Sequence, residues 1–137
     1  MLNVSSRDLA VALADRLGTV VPPGVVVREQ DAELAVLYDG VLIGVSGAPT
    51  ILETVEALRE PGENLETAAR AALSGVQDYI AEATTEPWPG TGGSQPNPDA
   101  RLDGNLLVMW FGPEDAPVLR LPPIDLARPT APPAPGP

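Results

Sequence analysis

The sequence predicts an α+β fold, in which an antiparallel β-sheet of about five strands carries helices packed on one face. Helical periodicity occurs early in the chain and again near its middle, and strand-like segments with tight turns occupy much of the remainder. Strands that are joined by tight turns pair antiparallel. The expected order is α-β-β-β-α-α-(β)-β-β, and 137 residues fit one such domain.

The first helix is predicted from a stripe of leucines and a capping signal. Leu9, Leu13 and Leu17 recur at four-residue spacing and fall on one side of a helix. Ser5 and Asp8 have the spacing of a capping box, in which each side chain accepts a hydrogen bond from the other residue's backbone N–H. The glycine after Leu17 is expected to end this helix.

Three strands are predicted next, at residues 25–30, 33–38 and 41–46. The second and third strands are separated by Asp39 and Gly40, a pair typical of a two-residue hairpin turn because glycine accepts a positive φ. This turn is the strongest local signal in the chain. It predicts an antiparallel hairpin.

Two helices are predicted in the middle of the chain. Thr50 and Glu53 have capping-box spacing and predict a short helix that ends by residues 60–62. Asn64 is expected to cap a longer helix that stops at the "TTEPWPG" stretch. Gly75 lies in the middle of the longer helix, and we expect it to allow close approach of a sheet.

The last third of the chain alternates flexible and strand-like segments. Residues 87–99 are rich in glycine and proline and predict a loop. Residues 106–111, "LLVMWF", form the most strongly β-forming run, and residues 118–123 predict a returning strand. One domain is therefore expected over residues 1–127, followed by a disordered, proline-rich tail at residues 128–137.

The charge balance of the chain bears on its partners. Eight arginines and no lysine stand against nineteen acidic residues, for a formal net charge of −11. Because phosphate groups are bound by basic side chains, we expect neither nucleic acid nor an anionic membrane as a partner. No continuous apolar run marks a signal peptide or a membrane span, which favours a cytoplasmic protein.

The side chains that the sequence lacks exclude most catalytic mechanisms. The chain has no histidine, cysteine or lysine, so it offers no imidazole base, thiol nucleophile or Schiff-base amine. We therefore predict no enzyme, no catalytic residue, no metal site and no cofactor. Carboxylates remain, and paired acids could support glycoside hydrolysis or hold magnesium or calcium.

Three aromatic residues are candidates for partner binding. Trp88 stands between two prolines at the end of the long helix, where it caps the core or docks a partner. Trp110 and Phe111 lie in the "LLVMWF" run, whose alternation puts apolar residues on both faces of the strand. Such a strand is either covered on both sides or exposed on one as an association surface.

Three acidic residues are further candidates. Glu53, Glu56 and Glu60 would share one helix face. This face is either an ordinary solvated surface or a patch that attracts a basic partner.

Two stretches carry a resemblance to known proteins. "SGVQDYIAEATTEPWPG" and "MWFGPEDAPVLRLPPIDL" resemble a group of small uncharacterised proteins from high-GC actinobacteria, with a helix that ends in "TTEPWP" and a late strand pair that ends in "LPP". That resemblance implies no activity. The order of elements is also similar to that of type III secretion chaperones, which implies dimerisation and binding of extended client segments.

These observations support three hypotheses. The leading one is a non-enzymatic protein-binding protein, chaperone-like or adaptor-like, that forms a homodimer and uses an apolar sheet face around Trp110 and Phe111 together with its acidic helix surface. The alternative is an immunity- or antitoxin-like inhibitor whose acidic surface neutralises a basic partner. The third is a carboxylate-dependent hydrolase or metal-binding protein.

Overall fold

The structure is a computed structural model that describes residues 4–50, 61–90 and 95–129, and it confirms the α+β class. Its elements, in chain order, are α1 (Ser6–Leu17), β1 (Val25–Gln30), β2 (Glu33–Tyr38), β3 (Val41–Ser46), a short 3₁₀ helix (Ala48–Thr50), α2 (Pro61–Thr84), β4 (Pro98–Asp103), β5 (Leu106–Phe111), β6 (Leu119–Arg120) and β7 (Ile124–Asp125).

The strands form two antiparallel sheets where the sequence suggested one. Sheet A has the order β1-β2-β3, and sheet B contains β4, β5, β6 and β7. In sheet B, β4 pairs with one side of β5, whereas β6 and β7 pair with opposite ends of its other side. Each sheet is built from neighbouring strands that pair locally, and α2 separates the two groups along the chain.

Helix α1 begins and ends as its sequence predicts. The Ser5 side chain accepts a hydrogen bond from the Asp8 backbone N–H, and the Asp8 carboxylate accepts one from the Ser5 N–H. Gly18 is the C-cap. The leucine stripe is buried in the core, so this helix is held by both its cap and its packing.

Helix α2 begins earlier than predicted. Its first residue is Pro61, so Asn64 lies inside the first turns and is not the cap. Proline suits the first helical position because a backbone N–H there would have no hydrogen-bond acceptor within the helix. The short helix predicted from Thr50 and Glu53 falls almost wholly on residues 51–60, outside the described residues.

Both tight turns of sheet A use backbone conformations with positive φ. Asp39 and Gly40 have φ of 50° and 82°, which confirms the predicted hairpin turn. Asp31 and Ala32, between β1 and β2, have φ of 52° and 65°. Two successive positive φ values match the right-handed twist of antiparallel strands, which fixes the register of sheet A.

Helix α2 contacts both sheets. Toward sheet A, Gly75 approaches Ser46 so closely that a Cβ atom on the glycine would lie 3.1 Å from the serine hydroxyl oxygen. The ring of Tyr79 lies directly over Gly44, and its hydroxyl donates a hydrogen bond to the Val45 carbonyl at 3.0 Å. The predicted close approach at Gly75 is therefore confirmed.

Toward sheet B, two polar side chains of α2 bind backbone groups. The Glu66 carboxylate accepts a hydrogen bond from the Leu102 N–H at 2.7 Å, and the buried Gln77 amide donates one to the Pro96 carbonyl at 2.5 Å. Strand β4 begins at Pro98, so the last two residues of the predicted loop at 87–99 belong to a strand.

One buried charge joins α1 to sheet B. Arg16 is almost fully buried, and its Nη2 donates a hydrogen bond to the Pro123 carbonyl at 3.2 Å. Burial lowers the pKa of the Arg16 guanidinium, and the nearby Asp15 carboxylate opposes that shift. The remaining core is mostly aliphatic and includes side chains from both helices and both sheets. Within the described residues, no helix has the length and apolar character required to cross a membrane.

We predict that Gly44→Ala destabilises the fold, because its methyl group would overlap the Tyr79 ring. Overpacking of this kind lowers the free energy of unfolding by about 1–3 kcal/mol. Urea titration followed by circular dichroism measures the change. In a double-mutant cycle, Tyr79→Leu should remove most of the penalty of Gly44→Ala. An unchanged urea midpoint for Gly44→Ala would contradict this packing.

Candidate functional site

The outer face of sheet A, opposite the helices, carries a row of apolar side chains. Val26 of β1 pairs with Leu37 of β2, and Leu37 pairs with Leu42 of β3. Their neighbours Val25, Val27 and Val36 have the opposite parity and are buried in the core. We call Val26, Leu37 and Leu42 the outer apolar row.

This row is open to water. Val26 is 52% exposed and Leu42 is 53% exposed, whereas Leu37 between them is half-buried. Val41, at the start of β3, is 64% exposed. Apolar side chains that are contiguous on a surface mark association sites more often than single ones do.

The row ends at β3, which is an edge strand of sheet A. Edge strands carry unpaired backbone groups that can pair with another chain, and proteins usually protect them with charges, prolines or a covering element. Strand β3 has the sequence VLIGVS, without charge or proline. Tyr79 covers only its second half, at Gly44 and Val45. Its first half, Val41 to Ile43, is uncovered by that side chain.

The other sheet edges are protected. Strand β1 carries Arg28, Glu29 and Gln30, and Glu29 forms an ion pair with Arg7 at 3.8 Å. On the edge of β4, the Leu102 N–H is bound by the Glu66 carboxylate. The opposite edge of sheet B is formed by β6 and β7, which have two residues each and are separated by a segment with two prolines. The start of β3 therefore differs from the rest of the described sheet edges.

Trp88 lies in the core. It is 9% exposed, and its ring meets the Phe111 ring edge-on, with centroids 5.4 Å apart and an interplanar angle of 68°. This geometry is favourable for two aromatic rings. Of the two roles left open for Trp88, the position of its side chain favours the capping of the core.

The expectation of an exposed apolar face around Trp110 and Phe111 is corrected by their burial. Phe111 is fully buried on the inner face of sheet B, and Trp110, on the outer face, is 3% exposed. Adjacent strand residues point to opposite faces, so the two rings do not share a surface. Neither ring is accessible to a partner in this conformation.

An open cleft of about 790 Å³ lies beside Trp110, lined among others by Pro96, Pro113 and Val118. Two carboxylates border it. Asp99 is paired with Arg70 at 3.1 Å, and Glu114 is paired with Arg101 at 2.6 Å. Because both carboxylates already have arginine partners and the indole is almost covered, the cleft offers little unsatisfied chemistry.

Glu53, Glu56 and Glu60 lie outside the described residues. Within residues 4–50, 61–90 and 95–129, no group of three or more histidine, cysteine, aspartate or glutamate side chains could hold a metal ion.

Sequence reasoning missed the outer apolar row, although a signal for it exists. Residues 25–27 are three successive valines, and residues 41–43 are Val, Leu and Ile, so both segments are apolar at both parities of a strand. The same feature occurs in "LLVMWF". In that run, however, both parities are covered except at Leu106 and Val108, whereas β1 leaves one parity to water and β3 leaves both Val41 and Leu42 exposed.

Comparison of the chain with models of protein families, with curated proteins and with solved structures finds no match. Both resemblances noted in the sequence therefore stay predictions. The fold is that of an α+β protein with two sheets, one of which has an exposed apolar face.

We predict that Trp88→Ala lowers the free energy of unfolding by about 3–5 kcal/mol, the usual cost of truncating a buried tryptophan. Trp88→Phe should cost less, because a ring remains to meet Phe111. Urea titration followed by far-ultraviolet circular dichroism makes the comparison without relying on tryptophan fluorescence. A wild-type midpoint for Trp88→Ala would show that the indole does not stabilise the core.

Proposed function

We propose that this protein is a non-enzymatic binding protein that acts by contacting another protein through the outer face of sheet A. The observation that supports the proposal is the outer apolar row, Val26, Leu37 and Leu42, which stays open to water and reaches the uncovered start of β3. In a chaperone-like or adaptor-like role, the outer face of sheet A would be exposed in the free protein and covered by the partner in the complex.

The energetics favour association at this face. Burial of apolar surface contributes roughly 25 cal/mol per Å² removed from water, and the outer apolar row is already ordered on a sheet. A partner therefore gains this contribution without the cost of ordering a flexible loop. The surrounding charge keeps the unbound protein dispersed, since net charge opposes association between identical chains.

The alternative function, an acidic inhibitor of a basic partner, is supported by the excess of acidic over basic residues. In the described part of the chain, three carboxylates pair with arginines, namely Glu29, Asp99 and Glu114. The full chain has nineteen acidic residues. Binding by such a charged surface would weaken steeply as salt is added, whereas binding by the outer apolar row would weaken little.

We predict that Leu42→Glu abolishes capture of the partner from a lysate of the native organism, because it places a charge within an apolar contact. If Leu42 is a dominant contact, the loss of binding free energy is about 2 kcal/mol or more. Parallel affinity purification with wild-type protein and the variant, then calorimetry with the purified partner, measures the effect.

The matched control is Leu106→Glu. Leu106 is also an exposed leucine on a strand, but it lies in sheet B. The Leu106→Glu variant should therefore still capture the partner. Equal retention of the partner by both variants would contradict a binding role for the outer apolar row, and loss with Leu106→Glu alone would move the site to sheet B.

A further inference from the structure

A groove runs beside the uncovered start of β3. It is lined by Ile43 of β3 and by Tyr79, Glu82 and Ala83 of α2, and has a volume of about 540 Å³. Ile43 has no partner in the pairing of β2 with β3, because Leu37 pairs with Leu42 and Val36 with Gly44. It is therefore the extra residue of a β-bulge.

The floor of this groove is apolar and held in place. Ile43 and Tyr79 are half-buried and pack against the hydrophobic core. The Tyr79 hydroxyl is anchored by its hydrogen bond to the Val45 carbonyl, and the absence of a side chain at Gly44 makes room for the ring. The groove therefore has one rigid wall from the helix and one from the strand.

Glu82 gives the groove its charge. Its side chain is exposed at the rim, and within the described residues it takes part in none of the ion pairs. A cationic side chain that enters the groove would meet this carboxylate with apolar surface on the remaining sides. An arginine or lysine suits that position, because its long stem can pack on apolar groups while its charge stays at the rim.

A second copy of this chain is a poor occupant. Strand β3 has no basic residue to place beside Glu82. Pairing of two β3 strands around a two-fold axis would bring together two molecules that each carry a formal net charge of −11. The negative charge of Glu82 and of the whole chain therefore favours, as the occupant of the groove, a different protein that supplies a basic residue.

We propose that the start of β3, with the groove beside it, takes an extended basic segment of a partner protein, added to the sheet as a further strand. Alternate side chains of a strand point to opposite faces. One set would lie beside Leu42 and extend the outer apolar row, and the other set would place an arginine or lysine over Glu82. The segment would thus read apolar–basic–apolar. The inference rests on the proposed function, for which it names the chemistry of the partner.

The test uses peptides as probes. A displayed library of random ten-residue peptides is selected against the full-length protein, and the enriched peptides are synthesised with a fluorescent label. We expect enriched sequences with an arginine or lysine between β-branched or other apolar residues. Fluorescence anisotropy should show Glu82→Gln weakening their binding by about three- to fivefold, as for an exposed ion pair, and Glu82→Arg weakening it by about tenfold or more.

Glu63→Gln is the matched control. Glu63 is an exposed glutamate at the other end of the same helix, so this change alters the net charge equally and should leave binding within about twofold. Circular dichroism of each variant verifies that the fold is retained, which is expected because Glu82 and Glu63 are both on the surface.

Three results would overturn the inference. They are a selection without basic apolar sequences, peptide binding that Glu82→Arg leaves unchanged, and light scattering that shows a dimer dissociated by Leu42→Glu. The proposed function is tested separately. A partner that is lost with Leu42→Glu but retained with Glu82→Arg would leave the outer apolar row as the binding surface and remove the basic segment.

Discussion

The contact of α2 with both sheets is the constraint on which the arrangement of this protein depends. Toward sheet A the contact needs small residues, since Gly75 lies against Ser46 and Gly44 lies under Tyr79. Toward sheet B it uses polar side chains, with Glu66 and Gln77 bound to backbone groups. One helix therefore aligns two sheets that do not pair with each other.

The two outer faces differ in how far their apolar side chains are covered. In sheet B the indole of Trp110 is covered, and arginine–carboxylate pairs border the adjacent cleft. In sheet A, the helices occupy the inner face and leave Val26 and Leu42 on the outer one in water. Exposed apolar residues on strands are thus concentrated in the three-stranded sheet, where they favour contact with another protein.

Local features of the fold could be predicted from the sequence. The capping box at Ser5 and Asp8, the turn at Asp39 and Gly40, and the small residue at Gly75 each depend on a few neighbouring residues, and each is confirmed. The division into two sheets could not be predicted in this way. It depends on which strands meet across α2, and alternation within a strand carries no information about that.

The candidate site shows the same limit. Apolar residues at both parities were noticed in "LLVMWF", where Trp110 and Phe111 proved to be buried. The equivalent pattern in β1 and β3 marks the exposed face, because no described helix covers that side of sheet A. Whether a strand has one covered face or two is a property of tertiary packing, so the sequence pattern alone could not separate the two cases.

The binding of the Leu102 N–H by Glu66 has a consequence for how large an assembly can become. A β-sheet grows into a filament only when each added molecule offers an unpaired edge strand to the next molecule. Here the carboxylate of Glu66 binds one N–H at the edge of β4, whereas the start of β3 has no such side-chain contact within the described residues. A strand added at the start of β3 could not continue into the β4 edge of another molecule without displacing Glu66, which disfavours a fibre relative to a complex of two chains.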